Sequence, residues 1–303
     1  MAVSGVLFRQ HCILQRLGKG PATLQQLADY YELECELHDY TFTFSKRTFL
    51  RDKDEILSLF KKDIQYNNSA KKYFLDEDIV PDSFGERVTD AYHTYLALNL
   101  ADNIAEHILF ERRQPLGLDN FHSLLQAIQK KLVVRFSYEK YLDKNISERE
   151  VAPFALKEFK SRWYLLCRDN NDQQTKTFAL DRISLLELTN KKIKTDGEFN
   201  AADYFKHCYG IIRPGERDAL PAFIKLAFAQ PLGKYIKSLP LHESQTIISE
   251  TEAELVISLD LYITHDLIME LLSYGHDAKV LEPLTLRKTI NSILVKTDAL
   301  YKE

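Results

Sequence analysis

The chain is poor in the residues on which small secreted or metal-binding domains depend. Its 303 residues include four cysteines, Cys12, Cys35, Cys167 and Cys208, which stand far apart and form no CxxC pair. A structural zinc site therefore has no support, and disulfides are not expected in a reducing compartment. We predict four buried thiols, with no metal and no cofactor.

Long apolar runs are also missing. No stretch approaches the roughly 20 apolar residues that cross a bilayer. Residues 1–8 lack the basic region and apolar core of a signal peptide. We therefore expect a cytoplasmic protein with no membrane partner.

The common signatures of enzymes are absent as well. The sequence contains no GxxxxGK[ST] phosphate loop, no HExxH and no GxSxG elbow. His207 and Cys208 are adjacent, but neighbours on a helix point apart and do not form a nucleophile–base pair. No pair of acidic residues stands out as a general acid and base. We predict that the protein is not an enzyme.

Charge is distributed unevenly along a chain of formal net charge −4. Residues 29–39 contain five acidic residues and no Lys or Arg, whereas residues 45–75 contain eight basic residues against four acidic ones. A basic element inside an acidic protein is compatible with local contact to phosphate.

The first 78 residues are predicted to form a DNA-binding head. The predicted elements are a helix over 9–17, a second helix capped by Thr23 with Gln26 at the capping-box position, a third helix from its cap Ser45 to Phe60, and strands over 64–66 and 72–75 around a turn at 67–69. Three helices followed by a hairpin are typical of a winged helix-turn-helix.

The candidate DNA contacts lie on the third helix and the hairpin. They are Ser45, Lys46, Arg47, Thr48 and Arg51 on the helix, and Asn67, Lys71 and Lys72 on the hairpin. Phe49 and Leu50 are expected to turn inward. The alternative is an ordinary helix with a solvated cationic face.

A helical region is predicted over 79–131, after a short acidic linker at 76–83. Its main element is a long helix over 84–112 with apolar residues at helical spacing. This stripe either packs on the rest of the same chain or pairs with a second copy, and both possibilities stay open.

Two further domains are predicted after residue 131. Strands over 132–138, from 150, over 162–168, over 175–180 and over 182–188 suit a small Sm- or SH3-like β-barrel within 132–212. Alternating strands and helices over 213–303 suggest an α+β sandwich. The predicted fold is therefore multidomain α+β.

Three motifs in the barrel region resemble those of WYL-domain transcriptional regulators. They are Arg149-Glu-Val-Ala-Pro153, Trp163-Tyr164-Leu165 and Asp181-Arg182-Ile183. The resemblance covers nearly the whole chain, and the start of the third helix resembles the winged heads of these regulators. It implies a bacterial, homodimeric regulator with a winged head, a WYL barrel and a C-terminal extension.

The resemblance also implies a ligand site on the barrel. The matching positions are Tyr138, Arg149, Trp163, Tyr164 and Arg182, with Arg168 and Lys176 as nearby candidates. Guanidinium groups beside aromatic faces favour an anionic ligand with a stackable ring, such as a nucleotide or single-stranded nucleic acid. Two departures put the ligand type in doubt: Ala179 and Lys176 stand where many members carry arginine.

Structural roles remain open for some of these residues. Trp163 shares strand parity with Leu165 and could belong to the core, and Asp181 with Arg182 could form an ion pair. The function that follows is a ligand-responsive regulator that binds a double-stranded DNA operator. The alternative is a non-enzymatic accessory protein that binds RNA or another nucleic acid through the barrel.

Overall fold

The structure is a computed structural model that describes residues 4–37, 40–41, 43–76, 91, 117–141, 145–193, 199–215 and 220–302. The chain divides into two compact units, Met1–Glu111 and Arg112–Glu303. The helix predicted over 84–112, with its apolar stripe, lies outside the described residues except for residue 91. The finer division into four domains stays a prediction.

The first unit contains the predicted helices and hairpin. Its elements are α1 (Ser4–Gly18), α2 (Leu24–Leu37), α3 (Lys46–Phe60), β1 (Ile64–Asn67) and β2 (Lys72–Leu75). The two strands pair antiparallel, with Ile64 opposite Leu75. Ala22 and Tyr73 exchange backbone hydrogen bonds of 2.9 and 2.7 Å. The hairpin is therefore tied to the chain that leads into α2.

Both predicted helix caps are present. The Thr23 hydroxyl accepts from the Gln26 N–H at 3.2 Å, and the Gln26 side chain accepts from the Thr23 N–H at 2.9 Å. At α3, the Ser45 hydroxyl accepts from the Thr48 N–H at 3.2 Å, and the Thr48 hydroxyl accepts from the Ser45 N–H at 3.0 Å. These reciprocal bonds satisfy N–H groups that would otherwise lack partners at a helix start.

Helix α3 buries a different face from the one that its apolar residues suggest. Phe49, Asp52, Ile56 and Phe60 are its buried residues, whereas Leu50 is 46% exposed. The prediction that Leu50 turns inward is therefore wrong, because it lies about 100° around the helix from Phe49. A charged residue takes part in this buried face instead.

Asp52 is that charged residue, and Arg9 of α1 is its partner. The Asp52 side chain has no exposed surface, and both of its oxygens accept from the Arg9 guanidinium, one of them from Nη2 at 2.9 Å. A bidentate pair of this kind fixes the two helices in register as well as in distance.

The second unit begins with a helix and an antiparallel sheet. Its elements are a 3₁₀ turn (Leu118–Asn120), α4 (Phe121–Gln129), β3 (Leu132–Glu139), β4 (Ile146–Phe159), β5 (Arg162–Asp169), β6 (Thr175–Ala179) and β7 (Ile183–Lys192). The strand order is β6-β5-β4-β3-β7. Leu165, Cys167, Phe136 and Phe178 form part of its core beneath α4.

Two strand boundaries differ from the sequence prediction. Strand β4 begins at Ile146 and runs through Pro153, where the register against β5 shifts between Pro153 and Ala155. A proline that cannot donate to the ladder is accommodated at such an irregularity, which is why it does not end the strand. Leu180–Arg182 form a 3₁₀ turn, and β7 starts one residue after the predicted position.

The rest of the second unit is a βαββαβ arrangement with one helix added before it and one after it. Its elements are α5 (Ala201–Phe205), β8 (Ala222–Ala229), α6 (Leu232–Ser238), β9 (Thr246–Glu250), β10 (Glu254–Leu261), α7 (His265–Ser273), β11 (Ala278–Glu282) and α8 (Leu284–Tyr301). The sheet order β11-β8-β10-β9 is that of a ferredoxin-like split βαβ fold. The helices cover one face of this sheet through Ile236, Leu267, Leu271 and Leu286.

The two sheets of the second unit meet around Leu166 and around helix α7. Leu166 of β5 is fully buried against Phe205, Cys208 and Tyr262. Glu270 of α7 accepts from Lys160 Nζ at 2.8 Å and from the Tyr274 hydroxyl at 2.7 Å. Burial opposes ionisation of Glu270, but these hydrogen bonds outweigh it and lower the pKa of the carboxyl.

All four cysteines are free and buried, as predicted. Burial raises the pKa of the Cys12, Cys167 and Cys208 thiols above the ordinary value. Because the thiolate is the reactive form, these side chains act as small apolar groups.

Removing one partner of the buried Arg9–Asp52 pair should destabilise the first unit. In Asp52→Ala, Arg9 stays buried without its counter-ion, so we expect a loss of about 3–5 kcal/mol in the free energy of unfolding. Urea unfolding followed by far-UV circular dichroism measures it.

Trp163, the single tryptophan, lies in the second unit and serves as an internal reference through its fluorescence. The matched control is Asp54→Ala, because Asp54 is exposed on the same helix. Equal effects of the two substitutions would contradict a stabilising role for the pair.

Candidate functional site

Residues from three elements of the first unit line one groove. Ser45 and Lys46 at the start of α3 face Tyr66, Lys71 and Tyr73 of the hairpin across a space of about 540 Å³. The start of α2 supplies the third side through Thr23, Leu24, Gln25 and Ala28. Among the described residues no acidic side chain lines this groove, so its local charge comes from the two lysines.

The remaining helix candidates have different surroundings. Arg47 is exposed beside Lys46. Arg51 is also exposed but lies 3.8 Å from Glu55, one turn further along the helix. Ser45 and Thr48 already serve the cap of α3, so their hydroxyl groups hold the helix start in place.

Two hairpin candidates lie on another side of the strands. Asn67 and Lys72 line a second space, of about 610 Å³, with residues that follow α1. The Asn67 side-chain oxygen accepts from the Ser69 and Ala70 N–H groups at 3.0 Å. Asn67 therefore shapes the turn, whereas Lys71 faces the first groove.

Two of the predicted ligand residues, Arg149 and Lys176, have a structural partner in Asp169. Asp169 has no exposed surface, and its carboxylate accepts from Arg149 at 3.0 Å and from Lys176 at 2.9 Å. Burial alone would raise the pKa of Asp169, but the Lys176 and Asn171 hydrogen bonds and the Arg149 charge lower it overall. Arg149 and Lys176 therefore balance a buried charge.

The two aromatic candidates on the core face also have structural partners. Tyr138 is 8% exposed and packs edge-on against Phe178, with ring centroids 4.7 Å apart. Trp163 packs edge-on against Phe121 at the same separation and borders the core of the five-stranded sheet. The possibility that Trp163 belongs to the core is consistent with this packing.

Tyr164 and Arg182 are gathered with two residues that the sequence reasoning did not select. Arg162 donates to Asp181 at 3.1 Å, and the Tyr141 hydroxyl donates to the same oxygen at 3.2 Å. The Arg182 guanidinium lies 4.0 Å from the centroid of the Tyr141 ring. Asp181 thus pairs with Arg162 and not with Arg182, the partner that the sequence left open.

Two polar atoms in this cluster are buried without a hydrogen-bond partner. They are Oδ1 of Asp181 and Nε of Arg182. An acceptor and a donor left unsatisfied together are costly, and such pairs are found where a ligand or water completes them. Burial also raises the pKa of the neighbouring Tyr164. We call Tyr141, Arg162, Tyr164, Asp181 and Arg182 the sensor cluster.

Lys157 lies next to this cluster and was also missed. It is opposite Tyr164 in the β4–β5 register, and its ammonium group is 4.1 Å from the centroid of Phe205. Burial lowers the pKa of Lys157. The period-2 pattern of a strand could have found Arg162, because it shares a face with Tyr164. Lys157 could not be found in this way, because its position opposite Tyr164 depends on the pairing register of β4 and β5, which the sequence does not contain.

Arg168 is separated from the sensor cluster along strand β5. Its guanidinium lies 5.5 Å from the centroid of Phe154, which stacks on Phe199 at 4.3 Å. Leu166 stands between Tyr164 and Arg168 on the same strand face and is covered by Phe205. The predicted ligand residues are thus divided among four places.

Domain comparisons agree with the motifs from which these side chains come. Residues 119–188 match the WYL domain, and residues 221–297 match the WCX domain. The chain contains a WYL domain and a WCX domain. The resemblance inferred from its tripeptide and its Asp-Arg-Ile motif is therefore confirmed. The sensor cluster belongs to the WYL domain, with Lys160 of that domain contacting Glu270 of the WCX domain.

Two of the solved structures that match this chain are distant likenesses. Proteasome accessory factor B/C (PafBC) of Arthrobacter aurescens is 20% identical, with 95% of this chain and 46% of that chain covered and a TM-score of 0.34. The chain therefore spans about half the length of that relative. A CRISPR Cas-related protein is 9% identical, with 98% and 84% covered and a TM-score of 0.40. A search of curated proteins finds no match.

The described ranges contain neither a candidate metal-binding group nor a helix that could span a membrane. Within them, no group of three or more His, Cys, Asp and Glu side chains is placed to hold a metal ion. None of the helices described there is long and apolar enough to cross a membrane.

Asp169 should make the stability of the WYL domain depend on pH. Its folded-state pKa is lowered, and the unfolded value is about 3.9. Its contribution is therefore present above about pH 4 and lost as the pH falls below that value. In Asp169→Asn we expect reduced stability at pH 7, by about 3 kcal/mol, and a smaller further loss on acidification. Urea unfolding followed by Trp163 fluorescence at pH 7, 5, 4 and 3 measures both.

Asp172→Asn is the matched control, because Asp172 is exposed and shares the Lys176 partner. If the control and Asp169→Asn show the same pH profile, Asp169 is not the residue responsible.

Proposed function

We propose that this protein is a ligand-responsive transcriptional regulator that binds duplex DNA through a winged helix-turn-helix head. The observation that carries the proposal is the groove shared by the starts of α2 and α3 and by the hairpin. Of the residues that the structure describes, two lysines and no acidic residue line it. A phosphate backbone is the partner that this charge arrangement favours.

Helix α3 would act as the recognition helix. Its first residues, Lys46 and Arg47, are exposed, and recognition helices contact base edges with their N-terminal residues. Lys71 on the hairpin and Lys72 behind it would contact phosphates and set the orientation on the duplex. We retain Arg51 as a weaker candidate, because Glu55 offsets part of its charge.

The sensor cluster would bind the effector, and its chemistry favours an anion with a flat ring. Tyr164 and Tyr141 offer ring faces, while Arg182 and Lys157 supply positive charge. The unsatisfied acceptor on Asp181 and donor on Arg182 suit a ligand that carries both kinds of group. Nucleobases do, so we propose a nucleotide or a short single strand as the effector.

Effector binding needs to shift DNA affinity only modestly. Allosteric coupling is typically about 1–3 kcal/mol, which corresponds to roughly 5–150-fold in affinity. We propose a homodimeric, non-enzymatic regulator in which two heads bind two half-sites. Palindromic operators match the twofold symmetry of such dimers.

The first experiment tests the head with DNA from upstream of the protein's own gene. We expect Lys46→Ala with Lys71→Ala to weaken binding and to lower the salt slope by about 2, because each lost phosphate contact removes close to one released counterion. Fluorescence anisotropy at 50 and 200 mM salt, with nonspecific competitor DNA present, measures both.

The matched control is Lys234→Ala with Lys296→Ala, which removes the same charge from exposed sites in the second unit. The groove is not the DNA site if the salt slope is unchanged in Lys46→Ala with Lys71→Ala, or if the control loses as much DNA affinity. Binding to single strands but not to duplex would instead favour the accessory-protein alternative.

The second experiment tests the sensor cluster with a ten-residue oligothymidylate and with AMP as probes. We expect Tyr164→Ala and Arg182→Gln each to weaken binding of the better probe at least tenfold, since base stacking is worth about 1–3 kcal/mol. Arg149→Ala should leave the affinity of folded protein unchanged, because Arg149 pairs with Asp169. Isothermal titration calorimetry measures the affinities. If Arg149→Ala weakens binding and the other two substitutions do not, the effector binds beside Arg149 instead.

A further inference from the structure

The WCX domain contains a cleft that is separate from the sensor cluster. It lies between helix α8, strand β11 and the end of helix α7, and its volume is about 330 Å³. Small-molecule sites typically have volumes of about 300–1,000 Å³, so the cleft is at the lower end of that range. Its floor consists of Leu226, Leu271 and Val280, all of them buried.

The cleft is open because helix α8 covers the core with only part of its length. Leu286 is the buried residue of this helix, and Ile290 packs against the same core one turn later. Leu284 and Leu294 line the cleft but are 60% and 48% exposed. Apolar surface therefore continues from the buried floor to the outside.

Positive charge surrounds this apolar surface. Lys279, Arg287 and Lys288 line the cleft, and no Asp or Glu in the described ranges does. Within the described part of the chain, none of the three takes part in an ion pair. Surface cations of this domain do pair elsewhere, as Lys237 does with Glu250 at 2.7 Å.

We propose that this cleft binds an amphipathic anion, of the class of medium-chain carboxylates. The alkyl chain would lie on Leu226, Leu271 and Val280. The carboxylate would reach the rim, where the guanidinium of Arg287 can bind it with two parallel hydrogen bonds. Lys279 and Lys288 add charge without that geometry. The site is independent of the proposed sensor cluster and offers the protein a second input.

A chain-length series tests the apolar part of the site. The probes are hexanoate, octanoate, decanoate and decanol, each added to the full-length protein below its micelle-forming concentration. We expect the Kd of the carboxylates to fall about fourfold for each added methylene until the cleft is full. Decanol should bind at least tenfold more weakly than decanoate. Isothermal titration calorimetry measures each Kd.

Substitutions test the location and the charge. Arg287→Gln with Lys288→Gln should weaken decanoate at least tenfold and leave decanol unchanged, whereas Lys296→Gln on the same helix should change neither. Asn291→Trp fills the cleft from an exposed position and should abolish binding of both probes. Circular dichroism verifies that each variant is folded, and Trp163 fluorescence does so for the variants that add no tryptophan.

Four outcomes overturn the proposal. They are the absence of saturable decanoate binding, equal affinities for decanoate and decanol, decanoate binding that survives Asn291→Trp, and an equal effect of Lys296→Gln. Sedimentation velocity tests whether a second copy of the chain occupies the cleft instead. That would be the case if the protein forms a dimer that Asn291→Trp abolishes and that decanoate does not dissociate. The carboxylate proposal would then be wrong.

Discussion

Burial of strand β5 on both faces is the constraint on which the second unit depends. Leu165 and Cys167 point into the core of the WYL domain, whereas Leu166 points the other way and is equally buried. Alternation along a strand makes this possible only if a second layer covers the outer face. Helix α5 and the WCX domain supply that layer through Phe205 and Tyr262.

This second layer also divides the residues of the proposed ligand site. By covering Leu166, it separates Tyr164 from Arg168 on what is otherwise one continuous strand face. Tyr164 is left beside Arg162, Asp181 and Arg182, in a cluster that retains an unsatisfied donor and acceptor. A ligand bound at a site that two domains border contacts both of them. Its binding can therefore favour one arrangement of the two domains over another.

In the first unit, a buried charged pair rather than an apolar layer fixes the arrangement of the elements. Arg9 and Asp52 hold α1 against α3 with a bidentate contact in the interior. Because leaving either charge alone would be costly, the pair also specifies one arrangement of the helices. The start of α3 is thereby placed beside the hairpin, which is the geometry that the proposed DNA contact needs.

Local signals in the sequence were sufficient to predict most of the helices and strands. The Thr23–Gln26 and Ser45 caps, the hairpin turn at Asn67 and the period-2 strands depend on neighbours within a few residues, so their positions could be predicted. The three WYL motifs likewise identified the domain. Tertiary structure alone decided the partners. It paired Arg149 and Lys176 with a buried Asp169, and Arg162 with Asp181, because ion pairs join residues that are distant along the chain. Strand register, which the pattern of one strand does not contain, brought Lys157 opposite Tyr164.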